Sequence, residues 1–157
     1  MKNIEFGWSE SVSPVTQLAT PITRASVKTA AHGRPMVLTL WRSNGTGLRI
    51  QSKMHDLADR IEVGVLNFTR VDSLGEDDLA IALPAAFDAP LKVTKLVIVE
   101  AGTTVESGVM LESPDGKQIV VTAGAGPYTL AIRGIIETPH AFEPEYSIDN
   151  YAPVPLA

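Results

Sequence analysis

Residues 113–116, Ser-Pro-Asp-Gly, lie between two runs in which apolar residues recur at every second position. Val109 and Leu111 precede the turn, and Ile119 and Val121 follow it. Proline sets one φ in advance, and glycine accepts the positive φ that other L-residues resist. A period of two belongs to a strand with one buried face. Together they dictate a hairpin. The surrounding segment, 91–134, continues in the same style. Leu96-Val97-Ile98-Val99 reads as a strand buried on both faces, and Ala123–Pro127 as a wide connection into a strand at Tyr128–Arg133.

The same grammar runs back toward the N-terminus. Ala31-His32-Gly33-Arg34 separates two runs of β-formers and predicts a hairpin with His32-Gly33 at its tip. Asn44-Gly45 predicts a second tight turn, since this dipeptide favours φ > 0. Leu48, Ile50, Ser52 and Met54 then alternate with Arg49, Gln51 and Lys53, as in a half-buried strand. His55–Arg60 is polar and reads as a loop or a single helical turn. Ile61–Thr69 reads as a strand that changes face near Leu66, with Gly64 marking a bulge. Short strands are also expected around Ile4 and Phe6, at Val15–Leu18 and at Leu79–Leu83. No long run has apolar residues at helical spacing. The expectation is an all-β protein: a single-domain antiparallel β-sandwich or barrel of roughly eight to ten short strands, with little helix.

One domain of 157 residues is long enough to bury a core. The segment 137–157 differs in composition: Pro139, Pro144, Pro153 and Pro155 lie among Phe142, Tyr146, Tyr151 and Leu156. It is too apolar for a disordered tail and too rich in proline for a helix. An extended arm is expected, packed on the domain or on a second subunit. Phe142, Tyr146, Tyr151 and Leu156 are its candidate interface residues, because aromatic side chains suit partial burial.

Charge and cysteine content narrow the chemistry. A formal net charge of −5 with no basic cluster argues against nucleic acid and anionic membrane as partners. The absence of cysteine excludes disulfides, thiolate metal sites and cysteine nucleophiles. No segment matches a signal peptide or a membrane helix, so a cytoplasmic protein is expected.

Three histidines occur: His32, His55 and His140. The densest cluster of candidate ligands is His55, Asp56, Asp59 and Glu62, which a bent loop would gather around a divalent cation. A solvated loop between two strands is the competing reading. Ser107 lies in Glu106-Ser107-Gly108, half of a nucleophile elbow, without the strand–elbow–helix context. Gly124-Ala125-Gly126-Pro127 lacks the later glycine and the lysine of a phosphate loop. Glu76-Asp77-Asp78 and Glu143/Glu145 are clustered carboxylates in polar turns, where exposed charge is the simpler account. No cofactor is expected.

Two stretches carry a resemblance: Ser52–Asp56 with Glu62–Leu66, and Gly108–Glu112 through Asp115-Gly116-Lys117 to Pro127–Ile132. They resemble small bacterial all-β proteins, some of which are similar to immunity proteins of toxin systems. The resemblance covers about half of the chain and brings no catalytic motif. The lack of a catalytic constellation in the sequence, together with the apolar arm, points to a non-enzymatic binding or protein-interaction module, immunity-like by the resemblance, with self-association or another protein as partner. The alternatives are a small metal-dependent or hydrolytic enzyme built on the His55 cluster, and a small-ligand-binding β-barrel.

Overall fold

The computed structural model describes residues 2–8, 18–58, 60–72 and 80–155. Its strands are β1 (Lys2–Ile4), β2 (Gly7–Trp8), β3 (Arg24–Thr29), β4 (Pro35–Trp41), β5 (Gly47–Ala58) and β6 (Ile61–Val71). The remainder are β7 (Ala80–Ala82), β8 (Lys92–Glu100), β9 (Thr103–Glu112), β10 (Gln118–Ala123), β11 (Leu130–Arg133) and β12 (Ala152–Pro155). Two 3-10 turns, Ala85–Phe87 and Ile148–Asn150, are the named helical elements among the described residues.

The strands form two sheets. One has the order β11-β10-β9-β8-β12, with β1 on the free part of β9; the other runs β2-β6-β5-β4-β3-β7. Pairing is antiparallel except where β1 meets β9 and β2 meets β6. The sheets face each other across a filled core. Leu38, Leu40, Ile50 and Phe68 from one pack with Val109, Leu111, Ile119 and Ile132 from the other. These are the period-two positions of the sequence, and all are essentially sealed from water. The architecture is therefore a β-sandwich and not a closed barrel. The side chains that would line a barrel's ligand cavity fill this one.

A second cluster joins Val63 and Val65 to Leu96, Ile98, Val105, Val120 and Tyr151. It explains the apparent change of face in β6. Val63 and Val65 belong to this cluster while Leu66 and Phe68 belong to the first, so both faces of the strand are covered there. Gly64 is not a bulge. The register of β5 on β6 is regular beside it, and the irregularity falls at Asp56/Ala58. Glycine is needed because a Cβ at 64 would lie 2.5 Å from the Ala123 Cβ of the other sheet.

The local turn chemistry holds at the Ser113 turn. Gly116 has φ 89, and its N–H donates to Ser113 O at 3.0 Å. The Ser113 hydroxyl bonds the Asp115 carboxylate and accepts the Lys117 N–H. Other expectations are corrected. His55–Ala58 is neither loop nor helix but the end of β5, and β6 starts at Ile61 after a turn at Arg60. The segment is polar because this hairpin end protrudes into solvent, leaving His55, Asp56 and Ala58 exposed. Ile4 and Phe6 do not share one strand; the chain bonds first to β9 and then to β6. Leu96, Val97 and Ile98 are buried, but Val99 is 58% exposed, beyond a register shift at Leu96/Val97. Of the expected strand at Val15–Leu18, only Leu18 lies within the described residues, and it is buried.

After β11 the chain returns along its own sheet. Gly124 pairs with Pro144, and β12 adds to the outer edge of β8 with Pro153 opposite Leu96 and Pro155 opposite Thr94.

Candidate functional site

Three connections meet at one end of the sandwich. The first is the β3–β4 turn, closed by the Gly33 N–H to Ala30 O at 2.9 Å. The second joins β10 to β11 and is not wide. The Thr129 N–H donates to Gly126 O at 3.1 Å, which makes Gly126-Pro127-Tyr128-Thr129 a β-turn. The Thr129 hydroxyl tightens it by donating to the same carbonyl at 2.6 Å. Proline suits the second position of such a turn, and glycine or asparagine suits a third position with positive φ. Here the third residue is Tyr128, with φ 62. An L-residue with a bulky side chain is disfavoured there by about 1–2 kcal/mol. Its side chain is 56% exposed. The third connection is the return after β11. The Ile132 N–H donates to Ala141 O at 2.7 Å, and the Ala125 N–H to Glu143 O at 2.8 Å.

These backbone bonds bring together Arg34, His140 and Glu143. The Glu143 carboxylate lies 2.7 Å from His140 Nδ1 and 3.4 Å from Arg34 Nη2. The bond from His140, and then that from Arg34, holds the Glu143 carboxyl below its ordinary range. His140 also lies beside the hairpin tip, since a Cβ on Gly33 would come 3.7 Å from its ring. His32 in that tip accepts the Arg34 N–H on Nδ1 at 3.1 Å. Two of the three histidines thus share this loop end. A histidine that donates Nδ1–H to a carboxylate keeps the lone pair on Nε2. In the neutral tautomer with Nδ1–H toward Glu143, His140 offers Nε2 as an acceptor to a bound group, while the Arg34 guanidinium can donate.

A groove of about 360 Å³ follows the same return segment. Ile132 and Ala141 are in its floor, with Ile136 and Phe142 beside them. The Arg133 guanidinium stands 4.9 Å from the centroid of the Phe142 ring.

A second polar cluster lies in the seam between the sheets. Both Glu145 carboxylate oxygens accept the Gly64 N–H, at 3.0 and 3.2 Å, and the Glu145 N–H donates to Ala123 O. Ser107 Oγ donates to Gly64 O at 2.7 Å. Burial raises the Glu145 and Tyr151 pKa values and pushes Tyr146 up to about 12. Ser107 and Thr122 are fully buried. The cluster satisfies the edge of β6 that faces away from β5, short of where β2 pairs at Asn67 and Phe68, and the Ser107 and Thr122 hydroxyls are closed to substrate.

The residues singled out in the sequence are brought together only in part. His55 lies opposite Val63, and Asp56 opposite Glu62. Strand alternation sends His55 to the face opposite Asp56 and Glu62. Asp59 lies outside the described residues, as do Glu76, Asp77 and Asp78; among the described residues no three His, Asp or Glu side chains converge as metal ligands. Of the proposed interface residues, Phe142 and Tyr146 pack on the second core cluster and Tyr151 is a buried member of it. Leu156 is outside the described residues. Ser107 is committed to Gly64 and not to a histidine. Glu143 and Glu145 serve different places. Arg34, Tyr128 and the pairing of His140 with Glu143 were missed. The signal available for Tyr128 was Gly-Pro-Tyr-Thr, a tight-turn sequence with an aromatic residue where a small one is expected.

No helix among the described residues is long and apolar enough to cross a membrane. Comparison with family models, with curated proteins and with solved structures finds no match to this chain.

Proposed function

We propose that this chain is a non-enzymatic protein-interaction module of the cytoplasm, and that the loop end is its recognition surface. One observation carries the reading: three connections separated in sequence converge on Arg34, His140 and Glu143, and the turn packed there, where a Cβ on Gly126 would lie 3.2 Å from Arg34 Nη1, presents Tyr128, largely exposed and in a disfavoured conformation. Loops held by a rigid scaffold are where binding residues concentrate. Tyrosine and arginine dominate protein contact energies, because each offers a large, rigid surface with a polar tip. The interior carboxylates are occupied otherwise. Glu106 accepts the Phe6 N–H and pairs with Lys95, and Glu145 holds Gly64. An immunity-like role, which the resemblance read in the sequence implies, would belong to the same class of activity.

The test is comparative capture from extracts of the source cell. The wild-type chain and a folded double variant, Tyr128→Ala with Arg34→Ala, are each immobilised. The expected result is a stoichiometric protein retained by the wild type and lost by the variant. Equal retention by both, with the variant folded by circular dichroism, would overturn the assignment of this surface.

A further inference from the structure

We propose that the partner at the loop end is a second copy of this chain, docked about a two-fold axis with Tyr128 as the anchor. The inference rests on the recognition surface proposed above and adds the identity of what covers it.

The first argument is charge. With a formal net charge of −5, two copies repel each other over most of their surfaces. The loop end and its groove are an exception, because Arg34 and Arg133 there balance Glu137 and Glu143. The second argument is self-complementarity. An isologous contact sets residue i against residue j, and j against i. Arg34 and Glu143 form such a pair. Their internal ion pair is long, at 3.4 Å, and about a third of each side chain remains exposed. Each can turn to its counterpart in the other copy without leaving a buried charge unpaired. The third argument is Tyr128, which is exposed, and among the described residues no ring contact or hydrogen bond involves its side chain. On an axis, two such rings would cover each other and the neighbouring backbone.

The experiment is sedimentation velocity with light scattering on the full chain over a wide concentration range. The wild type is expected to dimerise. Tyr128→Ala is expected to weaken self-association roughly thirtyfold, as loss of a hot-spot aromatic does. Arg34→Glu alone and Glu143→Arg alone should each be monomeric, since each places like charges across the axis. An equimolar mixture of these two variants should recover a mixed dimer, an outcome that damage to the internal pair would not produce. A wild type that stays monomeric at every concentration overturns the inference, and so does a dimer that survives all three substitutions. Failure here is distinguishable from failure of the recognition surface. A monomeric wild type that still retains a different protein through Tyr128 and Arg34 sinks the second copy and leaves the surface standing. A dimer lost on Tyr128→Ala, with no other protein retained, makes the second copy the sole partner.

Discussion

β10 begins and ends in a tight turn, and the two turns treat the same conformational demand in opposite ways. At its start, the positive φ falls on Gly116, and Ser113 and Asp115 bond the backbone that leads into the strand. At its end, the positive φ falls on Tyr128, whose side chain stands in solvent. The first turn puts the residue with the least steric cost where the backbone requires it. The second puts an aromatic ring there. A turn that only had to reverse the chain would be better served by the first solution, and the contrast marks the second as a place where a side chain matters more than local stability.

The comparison can be broken from beneath. Trp41 closes β4, is 1% exposed, and donates its indole N–H to Ser26 Oγ at 3.0 Å. Trp41→Ala should cost about 3–5 kcal/mol in denaturant unfolding, because it empties a large core volume and strands a buried hydroxyl. A smaller loss would mean that the sheet carrying Arg34 is held elsewhere. Gly64→Val tests the seam next. Its Cβ would meet the Ala123 Cβ and force the two sheets apart, for about 1–3 kcal/mol.

The sharpest test exchanges the two solutions. Tyr128→Gly should raise stability by about 1 kcal/mol, since it relieves a disfavoured φ at an exposed site. Gly116→Ala should lower stability by a similar amount. Shifts of the same sign in thermal unfolding would remove the distinction between the turns.

Three turns were legible in the sequence, and two long-range contacts were not. The turns at Gly33, Gly45 and Gly116 could be read because their chemistry is local: a few residues fix the dihedrals, and the apolar alternation on either side fixes the face. The convergence of Arg34 with Glu143 spans 109 residues, and that of Gly64 with Glu145 spans 81. No local pattern encodes either contact, because both depend on where the return segment lands after β11. Polarity misled at His55–Arg60, since a hairpin end with His55, Asp56 and Ala58 exposed has the composition of a loop although Leu57 packs on the second cluster.

The smallest expected effect is in pH dependence, and two carboxyls of the return segment, two residues apart, oppose each other. Glu145 has its pKa raised in the folded state, mainly by burial, from an ordinary 4.5. The folded protein therefore binds more protons than the unfolded chain just above that value. The contribution is full below the ordinary value and is lost as pH rises through the folded one. Glu143 has its pKa lowered by His140 and Arg34, so its contribution is present above the ordinary value and is lost as pH falls. Unfolding midpoints of Glu145→Gln should lose the decline with rising pH, whereas Glu143→Gln should lose the decline with falling pH. Identical profiles for the two variants would mean that neither carboxyl governs the segment.

The prolines of β12 have a consequence for how this protein behaves at high concentration. Pro153 and Pro155 lack an amide hydrogen, so the hydrogen-bonded pairs of the ladder to β8 must fall on Ala152 and Val154. The prolines then turn their nitrogens outward. A strand arriving at that rim would find carbonyls that accept its N–H groups and no N–H groups to donate to its own carbonyls. Sheet growth stops there, so the tail works as a terminator against fibre-like stacking.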